Sequence, residues 1–158
     1  MSKEIKTPKF AKQTALHCAV GLLARREHSE FEVRQKLTIR DFNVKEIELV
    51  IEHLLAKDYL SDNRFAQSTC RYRVNRGYGW RYIANELKHK GVSMIIIQQL
   101  QKNCEIDWYL QAELAYNKRF GEIEKDTSQI DQKAKAKRIR FLQYRGFSTD
   151  EIFTVLAI

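Results

Sequence analysis

The chain has 158 residues, with 28 Lys and Arg against 20 Asp and Glu, and a net charge of +8. Its apolar fraction of 44% is enough for a globular core, while a single Pro and six Gly favour long helices. No apolar run approaches the roughly 18–20 residues that cross a bilayer, so we expect no membrane segment. The first residues lack the apolar region of a secretory signal, and three scattered cysteines suggest reduced thiols, so we expect a cytoplasmic protein.

Predicted helices begin with an apolar face that runs from Ala15 to Leu23. Ser29 and Glu32 form a capping box that opens a short second helix, and Asn43 opens a third helix with a long apolar stripe. The same plan then recurs. Asp62 is expected to cap a fourth helix.

The second and third groups of helices complete this pattern. The turn Gly77-Tyr78-Gly79 separates the fourth helix from a short fifth one, and Ser93 opens the sixth. Trp108 begins the apolar stripe of the seventh helix, a polar loop Gly121–Asp131 follows, and Ser148 with Glu151 opens the last helix by a capping box.

Three segments align as an internal repeat: Lys36–Ile47, Glu86–Ile97 and Phe141–Ile152. In each, a Leu is followed five residues later by an apolar residue and then by an N-cap residue, with periods of 50 and 55 residues. Asp41, Gly91 and Gly146 occupy the position where a helix ends in a left-handed residue. We therefore predict an all-α fold of three tandem three-helix repeats, in residues 1–61, 62–104 and 105–158, forming an elongated curved rod. A single compact bundle of about nine helices is the alternative.

The positive charge is concentrated in the middle repeat. Residues 62–104 hold 8 basic and 2 acidic groups, net +6, whereas residues 1–61 carry net +2 and residues 105–158 net zero. Arg outnumbers Lys in the middle repeat by five to three, and Arg binds carboxylate or phosphate with two parallel hydrogen bonds. This distribution indicates a polyanionic partner or a partner with an acidic groove.

No pattern in the chain supports catalysis, a cofactor or a metal site. The four histidines lack the spacing of metal ligands and are expected at the surface or at helix ends, and the chain has no phosphate-binding glycine motif or nucleophile motif. The last helix of each repeat is apolar or acidic, which disfavours sequence-specific reading of DNA by a helix-turn-helix. The basic residues therefore predict a broad electrostatic surface.

We expect a central contact surface of Arg71, Arg73, Arg76 and Arg81 with Tyr78 beside them, and we expect Tyr72 to point into the core. Arg73 and Arg76 share a helix face, so their replacement is expected to leave the fold nearly intact. Basic residues of all three repeats complete the candidate set. It comprises Arg25, Arg26, Arg34, Arg64, Arg71, Arg73, Arg76, Tyr78, Arg81, Lys88, Lys90, Lys135, Arg138 and Arg145.

Several segments resemble the signature of the RecX family, bacterial regulators of the RecA recombinase. Asp58–Ala66, Arg71–Arg73 and Gly77–Val92 carry the main resemblance, and Leu22–Leu37 and Lys135–Ser148 resemble the family's two other blocks. The chain departs from the family where Gly-Pro and a basic pair are common and this sequence has Gly-Trp-Arg-Tyr from position 79. It also has Asp58 where Gly is frequent, and Ser61-Asp62 where two acids are frequent.

The resemblance implies a cytoplasmic, all-helical protein without catalytic activity. It implies binding to the RecA–DNA filament and inhibition of strand exchange, ATP hydrolysis and co-protease action. A non-specific protein that binds single- or double-stranded DNA directly is the alternative, and a helical adaptor with an incidental basic surface is a third. We expect a monomer, since no sustained heptad run indicates a coiled coil.

Overall fold

The computed structural model describes residues 13–122 and 130–158, and within these ranges the chain forms nine α-helices and no strand. Residues 1–12 and most of the predicted polar loop Gly121–Asp131 lie outside the described residues. The helices are α1 (Ala15–Leu23), α2 (Glu30–Ile39), α3 (Val44–Ala56), α4 (Asp62–Asn75), α5 (Trp80–His89), α6 (Met94–Asn103), α7 (Trp108–Phe120), α8 (Gln132–Tyr144) and α9 (Thr149–Leu156).

The predicted helix starts are confirmed with one exception. Ser29 and Ser148 form capping boxes, and the side chains of Asn43 and Ser93 each accept a hydrogen bond from the backbone three residues later. The prediction that Asp62 caps α4 is wrong, because Ser61 Oγ accepts from the Arg64 amide at 3.2 Å. The Asp62 carboxylate instead accepts a hydrogen bond from the amide of Glu30, at the start of α2, at 2.9 Å.

Three separate hydrophobic cores replace the single core that a compact bundle would have. The first is centred on Leu37 and Leu54 in α2 and α3, the second on Leu87 in α5, and the third on Leu142 and Ile152 in α8 and α9. Each core draws its buried residues from three consecutive helices and the turns between them. The all-α fold of three tandem three-helix units is therefore confirmed, and the compact-bundle alternative is wrong.

Polar contacts join the first unit, α1–α3, to the second, α4–α6. The carboxylate of Glu32 in α2 lies 3.0 Å from Lys90 Nζ at the end of α5, and Arg64 Nε lies 3.1 Å from Glu27. The Asp62 carboxylate adds its bond to the first turn of α2, where the helix dipole favours a negative charge. Charged groups thus form much of this first junction.

Backbone groups join the second unit to the third, α7–α9. The N-cap residue of α5 is Gly79, which has no side chain to bind the free amides of the first turn. The end of α8 supplies acceptors instead, because the Gly79 amide donates to the Arg145 carbonyl at 2.8 Å and the Arg81 amide to the Gly146 carbonyl at 3.0 Å. The rings of Trp80 and Trp108 pack beside this contact with centres 5.9 Å apart.

The second junction leaves no space for a side chain at Gly79. A Cβ atom built there would lie 2.6 Å from the Gly146 carbonyl oxygen, although the backbone of Gly79 has a negative φ that any residue adopts. Gly146 is equally confined, since its Cβ would lie 2.4 Å from the Tyr82 amide nitrogen. Both positions therefore need Gly because two backbones meet, and Gly146 has a φ of 92° besides.

We predict that Gly79→Ala destabilises the protein by about 2 kcal/mol, because it forces α5 and the end of α8 apart. Thermal unfolding followed by circular dichroism measures this loss. The matched control is Gly21→Ala in the middle of α1, where a Cβ atom would meet nothing within 4 Å. That control is expected to stabilise the helix by about 0.5–1 kcal/mol. Equal melting temperatures for the two variants would contradict this description of the junction.

Candidate partner-binding surface

Many of the sequence-predicted basic residues around the first junction are already neutralised by acids. Arg26 and Lys90 share one carboxylate, and Arg34 and Arg64 are each held by acids from another part of the chain. The pairs are Arg26–Glu32 at 3.0 Å, Lys90–Glu32 at 3.0 Å, Arg34–Glu48 at 2.6 Å, Arg64–Glu27 at 3.1 Å and Arg64–Asp58 at 3.0 Å. Arg25, by contrast, is exposed at the end of α1.

Glu32 is the buried centre of this charged cluster, with only 3% of its surface exposed. Burial alone would raise the pKa of its carboxyl, but hydrogen bonds and charge from Arg26 and Lys90 outweigh burial and lower the pKa to about 2. The carboxylate also accepts from the Ser29 amide as part of the capping box. His28, just before the N-cap residue of α2, lies at a helix end, one of the two expected positions, but it is buried, and this burial lowers its pKa.

Arg73 is a structural residue rather than a free surface charge. Its Nε and Nη2 atoms donate to the two carboxylate oxygens of Glu86 at 2.7 and 2.8 Å, and this bidentate bond raises the pKa of the guanidinium. Its Cζ atom lies 5.3 Å from the ring centre of Tyr78 and 5.4 Å from that of Tyr82. The premise that Arg73 is a free surface charge is therefore wrong, and we now expect its reversal to disturb the fold.

Tyr72 does not enter the core, so the prediction for this residue is also wrong. Its surface is 52% exposed, and the Cζ atom of Arg76 lies 5.0 Å from its ring centre. Ala66 and Cys70 lie on the buried side of α4, where their small side chains let the neighbouring helices approach closely. Tyr72 lies about 140° away from the line through these two residues on the helix, and its ring is at the surface although Phe65, seven residues earlier on nearly the same face, is buried.

The remaining candidates of the second unit are exposed cations without an acidic partner among the described residues. Arg81 and Lys88 lie seven residues apart on α5 and therefore share one exposed stripe with Asn85. Arg71 is exposed on α4, and Arg76 is exposed at the C-terminal end of that helix. These four residues, with Lys102 at the end of α6, carry the free positive charge of the middle unit.

The second junction brings further cations together in a cleft. Arg145 Nη1 donates to the Arg76 carbonyl at 2.8 Å, and its Cζ atom lies 4.6 Å from the ring centre of Tyr78. The Tyr78 ring also packs against the ring of Tyr82, with centres 4.2 Å apart and planes tilted by 35°. Lys118 and Arg119, at the end of α7, line the same cleft as Arg76 and Arg145.

The sequence interpretation missed Lys118 and Arg119, because they follow the apolar stripe of α7 and belong to no repeated motif. The other two candidates of the third unit lie on α8. Arg138 donates to the hydroxyl of Tyr116 at 2.7 Å and is half-buried. Lys135 is half-buried, and the described part of the chain gives it no acidic partner. The cleft thus gathers two predicted residues and two that were not predicted.

The described residues contain no cluster of His, Cys, Asp and Glu that could hold a metal ion, and no helix among them is long and apolar enough to cross a membrane. The cysteines at 18, 70 and 104 are free thiols. Burial raises the pKa of the Cys70 thiol to about 11, so this group stays protonated and unreactive at neutral pH.

Family models match all three units of the chain. The first, second and third three-helix domains of RecX match residues 15–54, 61–100 and 105–156, respectively. The chain belongs to the RecX family. The protein named regulatory protein RecX in Vibrio campbellii is 38% identical over 157 residues, covering 99% of this chain and 97% of that protein. Its counterpart in Haemophilus influenzae is 38% identical over 138 residues, covering 87% and 89%.

Solved RecX structures share the fold. The crystal structure of RecX from Lactobacillus salivarius has a TM-score of 0.71 at 22% identity and covers 90% of this chain and 92% of that one. A second crystal structure, of regulatory protein RecX, has a TM-score of 0.73 at 20% identity, with 90% and 71% covered. At this level of identity the likeness shows the architecture alone. The family models and the curated relatives confirm the resemblance to RecX that the sequence indicated.

Two departures from the RecX signature have a structural role in this chain. Trp80, one of the departures expected from the sequence, is half-buried and packs against the second core and Trp108. Tyr82, the other expected departure, places its ring against Tyr78 and near the guanidinium of Arg73. Trp80 thus contributes a ring contact to the second junction, whereas these ring contacts of Tyr82 lie within the second unit.

We predict that acid weakens the first junction through Glu32. Its folded-state pKa of about 2 lies below its ordinary value of 4.5, so its contribution to stability is present above about pH 4.5 and is lost as the pH falls toward 2. Glu32→Gln should lower the unfolding free energy at neutral pH by about 2 kcal/mol. Urea unfolding at several pH values should show a smaller decline with acid for the variant. Parallel pH profiles for variant and wild type would refute this role.

We also predict that Arg73→Ala costs about 2 kcal/mol of stability, because it removes a bidentate ion pair and leaves Glu86 without its partner. Arg71→Ala is the control, two positions away on the same helix and exposed. That change should stay within about 0.5 kcal/mol of wild type. Chemical unfolding of both variants measures the difference. A neutral Arg73→Ala would mean that the pair adds nothing to the fold.

Proposed function

We propose that this protein binds the RecA–DNA filament and inhibits strand exchange, ATP hydrolysis and co-protease action, without a chemical reaction of its own. One observation carries the proposal beyond family membership: exposed and unpaired cations lie on the second unit and at its junction with the third. Arg71, Arg76, Arg81 and Lys88 have no acidic partner among the described residues, whereas most of the cations around the first junction are ion-paired.

A filament of protein and DNA offers what this surface requires. DNA phosphates attract unpaired arginines over a distance of about a Debye length, and protein contacts add shape and apolar area. Three units joined in a row present their side chains along an extended face, which suits a long groove better than a small pocket. A bound regulator inhibits because it favours one conformation of the filament over the others that the reaction cycle needs.

We predict that the double variant Arg71→Glu/Arg81→Glu inhibits RecA at least about tenfold less effectively than wild type. Reversing both charges changes the local charge by four units, which slows association that depends on the local field. The DNA-dependent ATPase rate of RecA, measured against regulator concentration, gives the half-inhibitory concentration. Arg73 is left intact in this variant because its pair with Glu86 supports the fold.

The matched control is Arg40→Glu/Lys45→Glu, which reverses one exposed Arg and one exposed Lys of the first unit. Both double variants should keep the melting temperature of wild type within a few degrees. Equal inhibition by the two variants would place the contact surface elsewhere.

Direct, non-specific binding to DNA predicts a different result. Its affinity should be the same for bare single-stranded DNA and for the filament, and should fall steeply with salt for both. The proposed function predicts tighter binding to the filament than to bare DNA at physiological salt. Binding measured at two salt concentrations on both substrates separates the two functions.

A further inference from the structure

We propose that the cleft at the second junction takes a backbone phosphate of DNA. The cleft has a volume of about 190 Å³ and is formed by the end of α4, the last turn of α7 and the end of α8. It is lined by Arg76, Gly77, Ala115, Lys118, Arg119, Phe141 and Arg145. This proposal deepens the proposed function, because it assigns this part of the surface to the DNA of the filament rather than to its protein.

Four of the lining residues are cations, and no acid lines the cleft. The Arg145 guanidinium is held by its hydrogen bond to the Arg76 carbonyl and by the rings of Tyr78 and Phe141, at 4.6 and 5.2 Å. Its position is therefore fixed before a ligand arrives. Lys118 and Arg119 are exposed and have no acidic partner among the described residues, so they are available to an anion.

The cleft at the first junction also contains cations, but carboxylates of the same protein neutralise them. It has a volume of about 490 Å³, and its cations Arg26, Arg73 and Lys90 lie within 3.0 Å of carboxylate oxygens of Glu32 or Glu86. An anion entering that cleft would have to displace an internal carboxylate. The second cleft carries no such competitor, and so the two junctions differ in charge although they join similar units.

The neighbouring surface of α8 favours a phosphate polymer over a single carboxylate. The helix has no acidic residue from Gln132 to Tyr144, and Lys133, Lys137 and Arg140 are exposed on one stripe. Tyr144 follows on that stripe and is 78% exposed. Cations in a row with an exposed aromatic ring match the repeated charges and stacked bases of single-stranded nucleic acid. An isolated acidic side chain would use only one position of such a surface.

The test compares Lys118→Gln/Arg119→Gln with Arg40→Gln/Lys45→Gln, each of which removes one exposed Lys and one exposed Arg. The probe is a fluorescein-labelled single-stranded oligonucleotide of mixed sequence, followed by anisotropy at several salt concentrations. We expect the cleft variant to bind about tenfold more weakly at low salt. Its slope of log affinity against log salt should be shallower by about 1.4, since each phosphate contact on a single strand contributes about 0.7. The control variant should match the wild-type protein in DNA affinity and in salt slope.

Two outcomes overturn the cleft as a phosphate site. In one, the cleft variant has the DNA affinity and salt slope of the control. In the other, the cleft variant keeps its DNA affinity and salt slope but loses binding to polyglutamate. That result would assign the cleft to a protein carboxylate. The ATPase assay tests the proposed function separately from the phosphate site. Weaker DNA binding by the cleft variant supports the phosphate site even if the wild-type protein fails to inhibit RecA. Inhibition by wild type with unchanged DNA binding by the variant leaves the proposed function standing alone.

Discussion

Two backbone hydrogen bonds between the start of α5 and the end of α8 determine the geometry of the second and third units. Free amides at the first turn of one helix meet free carbonyls at the last turn of another, and each supplies the partner that the other lacks. Contact this close is possible only because Gly79 and Gly146 have no side chains. Arg145 follows the last residue of α8, and so the same contact places its guanidinium against Tyr78 and the Arg76 carbonyl, where the basic cleft opens.

The first junction is formed by different physical means. Lys90, Arg64 and Asp62 of the second unit bind groups of the first unit, and the buried carboxylate of Glu32 lies at the centre of the contact. These bonds neutralise Arg64 and Lys90, two of the cations that the composition alone assigns to a polyanionic partner. Net charge is therefore a poor guide to binding until the cations in internal ion pairs are left out. In this protein the cations that remain unpaired lie toward the second junction.

The fold could be predicted from the sequence because its determinants are local. An N-cap such as Ser148 acts on a backbone amide only three residues away, and its recurrence at nearly constant spacing reveals the repeat. The candidate surface was less predictable because its determinants are distant in sequence. Lys90 meets Glu32 across the first junction, and Tyr72 is exposed although the buried Phe65 precedes it by seven residues on nearly the same face of α4. Helical spacing alone does not show where burial ends along α4, and Lys118 lies outside every motif.

Hydrogen–deuterium exchange of the protein, alone and on RecA–DNA filaments, tests most directly whether the second junction faces the partner. Bound filament should slow exchange at the C-terminal turn of α4, along α5, and in the last turns of α7 and α8. Amides of α1–α3 should exchange as they do in the free protein, since most cations around the first junction are internally paired. Slower exchange confined to α1–α3, with α5 and α8 unchanged, would contradict a partner surface centred on the second junction.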